Sequence, residues 1–303
     1  VTATDNPRCG YVAIVGRPNV GKSTLLNALV GEKVSIVSTK AHTTRHRILG
    51  VLNRGSDQVI LMDTPGLQRD RKHALHRLMA RTINQALADA DITLMVIEAP
   101  KFTRQDRQLA ELLRDSADRT ILVLNKVDSI GAKSELLPIL ESLGAEYPFS
   151  AFVPISARSG TNLGGLLAEI LRRLPDGPLL FPREMLTDRN MQFRIAEVIR
   201  EKLLTVLHQE VPYGLTVEVE HVGKRGENQT LIHALIWIES RSHKAIVIGK
   251  GGRVLKAVGS AARQELTGLV GERVHLELWV KVRENWADSE RDLRSLGFDL
   301  GTL

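Results

Sequence analysis

The sequence predicts an α/β domain, with a mostly parallel sheet and helices on both faces, followed by a smaller α+β domain. Three observations predict this. From Tyr11 to about Leu174, short apolar runs rich in Val, Ile and Leu alternate with helix-like stretches, the pattern of parallel strands covered on both faces by crossover helices. The segment Pro175-Asp-Gly-Pro-Leu-Leu-Phe-Pro182 then places three prolines and a glycine where no helix can run. Beyond residue 190 the order changes to one helix, two strands, two helices and a strand.

In the first region the expected strands are Tyr11–Val15, Val59–Met62, Ile92–Ile97, Ile121–Leu124 and Phe152–Pro154. Helices are expected over Lys22–Val30, Arg77–Ala88, Arg104–Arg114, Ser134–Leu143 and Leu163–Leu174. Val51–Leu52 and Val59–Met62, flanking the turn residues Asn53 to Asp57, suit one antiparallel edge hairpin. In the second region Ile195, Ile199, Leu203 and Leu207 recur at helical spacing within 190–208. Thr216–Val222, Leu231–Ile238 and Val274–Val282 alternate as strands, and Ser242–Ile248 and Gly252–Leu266 suit two helices around a glycine cluster. The expected domains are therefore 8–174 and 189–284, with a linker at 175–188 and a tail with a short helix at 285–303.

Composition bounds the function. The 303 residues are 43% hydrophobic and 25% charged, which excludes global disorder. Lys and Arg number 41 against 35 Asp and Glu, an excess that admits an acidic partner without requiring one. The single Cys9 excludes an internal disulfide framework and any multi-cysteine zinc site, and suits a reducing compartment. The opening VTATDNPRCG lacks a charged-then-apolar leader, and no apolar run reaches the roughly eighteen residues of a spanning helix. A soluble, cytoplasmic protein is expected.

Gly16-Arg-Pro-Asn-Val-Gly21-Lys22-Ser23 follows the first strand and opens a helix, the context of a phosphate-binding P-loop. Glycines are needed there because backbone N–H groups must close around phosphate oxygens, and a Cβ would obstruct the turn. Lys22 would reach the β- and γ-phosphates, and Ser23 would ligate Mg²⁺ at a helix N-terminus that itself favours anions. Asn125-Lys126-Val127-Asp128 ends a strand about one hundred residues on. The Asp128 carboxylate can accept from the N1–H and the exocyclic amine of guanine. Adenine offers neither and would leave a buried charge unpaired, and sites of this kind discriminate by about 10⁴–10⁵. Asp63-Thr64-Pro65-Gly66 places Asp63 to hold Mg²⁺ through water and Gly66 N–H to touch the γ-phosphate. Between these motifs, Thr43-Thr44-Arg45 lies in a polar loop, and a hydroxyl there, Thr44 in preference to Thr43, would complete the metal shell only while the γ-phosphate is present. Ser156-Ala157-Arg158 would touch the base through its backbone.

In this order the motifs resemble those of the translation-factor class of P-loop GTPases. The resemblance places the nucleotide at Asn19, Val20, Gly21, Lys22, Ser23 and Thr24, at Asp63 and Gly66, at Asn125, Lys126 and Asp128, and at Ser156 and Ala157. Metal ligation falls on Ser23, Thr44 and Asp63, and catalysis on Lys22, Thr44, Gly66 and Asn19. Ras-like enzymes carry a water-positioning glutamine after the DxxG glycine; here that residue is Leu67, with Gln68 beside it. In potassium-activated relatives an asparagine matching Asn19 helps bind K⁺ near the phosphates, where a positive charge contributes about 10³–10⁵ in rate. Slow intrinsic turnover, faster in K⁺ than in Na⁺, is the expectation.

Ile246-Val-Ile-Gly249-Lys250-Gly251-Gly252 is a GxxG loop between two helices. With the α-β-β-α-α-β order it resembles a type II KH domain, whose loop clamps about four single-stranded nucleotides. RNA contact is expected at Ile248, Gly249, Lys250, Gly251, Gly252 and Arg253, with Lys244 and Lys256. From Arg241 to Gln264 there are six basic residues and no acid, although 188–303 as a whole holds 17 basic against 16 acidic. Trp237 and Trp279 share the strand face opposite Ile236 and Leu278, either to stack on bases or to cover the sheet. Asn285 to Arg294 reads as a short helix, either flanking the RNA groove or capping the domain.

A GTPase domain of this motif set joined to one C-terminal KH domain resembles the Era family across essentially the whole chain. His42 is one departure, where the family commonly has glutamine. The resemblance implies a GTP-hydrolysing factor in assembly of the small (30S) ribosomal subunit. It would hold the 3′ end of 16S ribosomal RNA, and nucleotide state would switch RNA and ribosome binding. It implies GTP or GDP with Mg²⁺, a 30S precursor as partner, no DNA, and at most a peripheral contact with the inner membrane. Three readings compete with it. The first is an ATPase or kinase, against which NKVD argues. The second is a GTPase acting on tRNA or another RNA, and the third is a non-catalytic nucleotide-gated RNA module, which Leu67 favours.

Overall fold

The computed structural model describes residues 6–67, 73–131, 133–208 and 211–298. The chain divides into two compact units. The first comprises Val1–Ser35, Thr44–Asp70 and Met79–Asp188, and the second Ile36–Thr43, Arg71–Leu78 and Arg189–Leu303.

The first unit is built on a six-stranded sheet in the order β2-β3-β1-β4-β5-β6. Its strands are β1 (Cys9–Val15), β2 (Ile48–Arg54), β3 (Asp57–Asp63), β4 (Ile92–Glu98), β5 (Thr120–Asn125) and β6 (Ala151–Pro154). All pairings are parallel except β2 with β3, so the expected edge hairpin is present but longer at both ends than its sequence pattern implies. Its turn closes at Gly55, whose φ of 59° is left-handed. Between the strands lie α1 (Lys22–Val30), α2 (Ala74–Asp89, of which the part from Met79 belongs to this unit), α3 (Arg104–Leu112), α4 (Leu136–Glu146) and α5 (Leu163–Arg173). Strand residues such as Ala13, Ile60, Met95 and Leu122 are buried without alternation, because helices cover both faces. The helix expected to reach Arg114 ends at Leu112 and gives way to a 3₁₀ stretch over Arg114–Arg119.

The segment expected as the linker lies along the first unit, which extends to Asp188. Gln58, fully buried, donates from Nε2 to the Phe181 carbonyl at 2.8 Å and accepts from the Leu180 and Phe181 amides at 3.0 Å each. Val51 N–H donates to the Leu186 carbonyl, and Leu49 N–H to Asp188 Oδ1. Extended backbone without a helical or alternating pattern carries no periodic signal, so the sequence does not reveal its partners.

In the second unit α6 (Met191–Val206), α7 (Arg241–Ile248) and α8 (Arg253–Val270) accompany a three-stranded sheet, β7 (Leu215–Lys224), β8 (Gln229–Ile238) and β9 (Arg273–Val282). β7 and β8 are antiparallel with a bulge between Val219 and His221, and β8 and β9 are parallel, joined through α7 and α8. Ile195, Ile199 and Leu203 of α6 pack with Ile232, Ile236, Val258 and Leu266. The tail's short helix is α9 (Glu290–Ser295) after a single turn at Trp286–Asp288. Trp286 is fully buried, donates from Nε1 to the Gly214 carbonyl at 3.2 Å and meets the Phe298 ring at a tilt, so this segment is packed into the core. Among the described residues, no helix is long and apolar enough to cross a membrane.

Candidate nucleotide and RNA sites

β1 and β4 lie side by side and the chain leaves β1 at Gly16, at the carboxyl end of the sheet, where ligands of open α/β folds bind. The loop places Asn19 at φ 65°, exposed, and Gly21 at φ 101°. A Cβ on Gly21 would stand 2.3 Å from Asn125 Nδ2, so only glycine admits that approach. Val20 is buried, and Thr24 lies half-buried in the first turn of α1. Lys22 is buried and donates from Nζ to the Gly16 and Arg17 carbonyls at 3.0 and 3.1 Å. Burial lowers its pKa to about 8, opposed by the nearby Asp63 carboxylate and helped by the Arg17 charge.

Three oxygens from three separate segments converge beside it. Ser23 Oγ lies 2.6 Å from Asp63 Oδ2 and 2.9 Å from Thr44 Oγ1, and Thr44 Oγ1 lies 3.3 Å from the same carboxylate oxygen. Thr43 turns its hydroxyl away to the Lys40 carbonyl at 2.7 Å. Asp63 is fully buried, and desolvation raises its pKa against hydrogen bonds from Ser23, Ser35 and Thr44 and the charge of Lys22. Its Oδ1 has no hydrogen-bond partner among the described residues. A buried acceptor without a donor, flanked by two hydroxyls, fits a small hard cation such as Mg²⁺, which takes one or two carboxylates and fills its shell with other oxygens.

Ser35 also donates to Asp63 Oδ2, at 2.9 Å. No sequence spacing marks it as a site residue. Asn27 holds it in place, accepting from the Val34 and Ser35 amides at 3.0 Å each. Gly66 brings its backbone against Pro18, where a Cβ would meet the proline at 2.8 Å, and Leu67 N–H donates to the Gly16 carbonyl at 3.2 Å. The Leu67 side chain packs against the first unit's core. Gln68 lies outside the described residues.

On the base side, Asn125 is buried and joins two loops. Its Nδ2 donates to the Val20 carbonyl at 2.8 Å, and its Oδ1 accepts from Ala157 N–H at 2.9 Å. The Ala157 amide is therefore used within the protein rather than standing open for a base. Ser156 is buried, and its Oγ accepts from Ser159 N–H. Lys126 sits at φ 67° and pairs its Nζ with Glu98 Oε2 at 2.8 Å. Asp128 is exposed on a short 3₁₀ turn, Val127–Ser129.

In the second unit Gly249, Gly251 and Gly252 all have positive φ, at 74°, 63° and 76°. A Cβ on Gly249 would lie 2.5 Å from Val254 Cγ2, whereas nothing surrounds one on Gly251 or Gly252. The second helix accordingly starts at Arg253, one residue later than its spacing implied. Lys250, Arg253 and Lys256 are exposed, and Lys244 and Ile248 are half-buried. Trp237 donates to Glu218 Oε2 at 2.7 Å and lies beneath Lys281 and Arg283, while Trp279 is 41% exposed and meets His233 edge-on. Within this unit His42 stacks on His76 at 4.9 Å and meets Tyr213 edge-on at 5.2 Å, contacts that a glutamine has no ring to make.

Known proteins agree with this arrangement. Residues 11–126 match the family model described as a 50S ribosome-binding GTPase, and residues 210–287 match the KH domain. The chain is 46% identical over 290 residues to GTPase Era of Glaesserella parasuis serovar 5 (strain SH0165), covering 96% of this chain and 97% of that protein. It is 47% identical over 291 residues to GTPase Era of Coxiella burnetii (strain CbuG_Q212), covering 96% and 98%. Among solved structures it resembles Era in complex with MgGDPNP and nucleotides 1506–1542 of 16S ribosomal RNA, with TM-score 0.92 and 40% identity over 96% of this chain and 99% of that one. It resembles equally an Aquifex aeolicus Era variant bound to GDP·AlF₄⁻, with TM-score 0.93 and 40% identity over the same shares. With such identity along nearly its full length, and with both motif sets in place, the chain belongs to the Era family and is a GTPase with a C-terminal KH domain.

Proposed function

We propose that this GTPase assists assembly of the 30S ribosomal subunit by holding the 3′ end of 16S ribosomal RNA on its KH domain, with RNA and ribosome binding switched by nucleotide state. The observation that carries the reading is the convergence of Ser23, Thr44 and Asp63 in a chain that also presents the Gly249–Gly252 turn. A relative of 40% identity was solved with both MgGDPNP and a 16S ribosomal RNA segment.

GTP would lie with its phosphates on Gly16–Ser23 and its base against Asn125–Asp128. When bound, Mg²⁺ neutralises charge building on the phosphates. Ser23 and Thr44 would hold it directly and Asp63 through water, while Lys22 places its ammonium among the phosphate oxygens. Leu67 has no group to orient water, which accords with slow intrinsic turnover. Asn19, exposed in left-handed backbone at the loop, is the residue that would hold an activating K⁺. Switching would act at Thr44, whose hydroxyl stands with Ser23 and Asp63. Within the second unit, Val37 N–H donates to Glu201 Oε1 at 2.9 Å, and buried Arg200 donates to the Thr43 carbonyl while paired with Glu197. Loss of the γ-phosphate would release Thr44 from the metal shell.

The proposed location is the cytoplasm, with peripheral contact at the inner face of the membrane, and no DNA partner. Crosslinking the protein to RNA in cells and sequencing the attached fragments tests the assembly role. A cluster at the 3′ end of small-subunit ribosomal RNA that disappears in Gly251→Asp is expected; a cluster on tRNA or messages would overturn it. RNA affinity equal in GDP and in a non-hydrolysable GTP analogue would remove the switch, and equal turnover in K⁺ and Na⁺ would remove the potassium site.

A further inference from the structure

Glu98 ends β4, and β4 lies between β1 and β5 in the sheet. The loop leaving β1 is Gly16–Ser23, and the loop leaving β5 is Asn125–Asp128. Glu98 is the register partner of Asn125 itself. The backbone thus sets one carboxylate between the loop read as phosphate-binding and the loop read as base-binding, and its side chain pairs with both. Glu98 Oε2 accepts from Lys126 Nζ at 2.8 Å and lies 3.6 Å from Arg17 Nη2.

Arg17 has a second anchor. Its Nε donates to Asp106 Oδ2 at 3.3 Å. Asp106 is buried and also closes the capping box of α3, where Oδ2 accepts from Thr103 N–H at 2.8 Å and from Thr103 Oγ1 at 2.7 Å. A capping box needs only its own four residues. An arginine from 89 positions earlier is no part of that box, and the bond holds its guanidinium, and with it the start of the phosphate loop. Lys22 donates to the Arg17 carbonyl, so the same residue that is tied by its side chain also receives the phosphate-loop lysine. The hydrogen bond from Lys126 holds the Glu98 carboxyl below the usual carboxylate range, as expected of an ionised member of such a chain.

We propose that Glu98 and Asp106, acting through Arg17 and Lys126, are positioning residues that tie the two nucleotide loops into one register and so set how long a guanine nucleotide stays bound. Neither carboxylate touches the reacting atoms. Their effect falls on binding of substrate and product alike, a uniform term that appears in KM rather than in kcat. This rests on the nucleotide reading of the two loops.

The test uses the full chain and measures release of a fluorescent GDP, with KM and kcat for GTP, in wild type, Glu98→Gln, Arg17→Gln and the double variant. Release about five- to tenfold faster is expected for Glu98→Gln, the net size of one ordinary hydrogen bond at a partly exposed site, with KM rising much more than kcat falls. The double variant should exceed the larger single effect only slightly, because both remove one chain of contacts. Arg17→Lys keeps the charge but not the planar fork and should also release faster, which serves if Arg17→Gln does not fold. Unchanged release in Glu98→Gln, strictly additive effects, or a loss confined to kcat would overturn the proposal. A wild-type chain that holds no GDP at all would overturn the nucleotide reading, and this proposal with it.

Discussion

Asn125 reaches across the sheet end to Val20, its Nδ2 donating to the Val20 carbonyl at 2.8 Å while its Oδ1 holds the Ala157 amide at 2.9 Å. Both partners are buried. Asn125→Ala should therefore lose stability as well as nucleotide affinity, by about 1–3 kcal/mol for each buried group left unpaired. Urea unfolding of the nucleotide-free protein reads the first effect, and GDP release the second. A variant that loses affinity at full stability would show that the bridge carries no structural weight.

Asp128 stands exposed at the other end of the same motif and accepts only. Asp128→Asn offers one acceptor and one donor, which matches N1–H and C2=O of xanthine better than the two donors of guanine. Affinity for GDP should fall by about a hundredfold or more, as for other sites that lose a buried polar match, and affinity for xanthosine diphosphate should rise. Competition binding with both nucleotides measures this, and stability should stay as in the wild type.

The two neighbouring threonines should separate cleanly. Thr44 Oγ1 lies within reach of Ser23 and Asp63, whereas Thr43 Oγ1 donates to the Lys40 carbonyl. Thr44→Ala should slow single-turnover GTP hydrolysis by about 10²-fold or more, the scale of removing one preorganised electrostatic contact. Thr43→Ala should have a much smaller effect. The reverse order would exchange their roles.

Two glycines of the second unit should fail differently. Gly249→Ala forces a Cβ against Val254 at φ 74° and should cost about 1–2 kcal/mol in the backbone alone. Gly251→Asp puts a side chain that tolerates the left-handed region into open space, so it should fold normally. It should weaken RNA binding about tenfold or more through like-charge repulsion of phosphate. Thermal melting and RNA titration of both variants check the contrast.

Glu98 predicts a pH dependence. Its folded pKa is depressed, first by the hydrogen bond from Lys126 and then by the charges of Lys126 and Arg17. Below the unfolded carboxylate value of about 4.3 the unfolded chain takes up this proton first, so stability present above that pH is lost as pH falls through the folded value. Thermal midpoints of wild type and Glu98→Gln should therefore converge between about pH 4.3 and the folded value below it. A gap that stays constant across that range would exclude the ion pair as its source.

Much of the site is legible in the sequence because its chemistry demands particular residues next to one another. Glycines at 16 and 21, Lys22 and Ser23 must stand at fixed spacing in one short loop to wrap a phosphate, and Asn125 to Asp128 must follow a strand to meet a base. Residues that act across the chain leave no such trace. Ser35 joins Asp63 only because Asn27 folds its loop back. Arg17 meets Asp106 and Glu98 only because β4 lies between β1 and β5. The Pro-rich segment reads as a linker because prolines forbid helix, yet its amides and carbonyls are satisfied by Gln58 and Val51.

By itself the sequence determined both domain types, the guanine-nucleotide motifs and the glycine turn of the KH unit, since each is a local pattern whose spacing is its physical requirement. Only the tertiary structure decided that Trp286 belongs to a core, that Ser35 joins Asp63, and that Glu98 pairs with residues of two loops. Those are outcomes of which distant segments the sheet order brings within hydrogen-bond distance, and no local pattern carries that order.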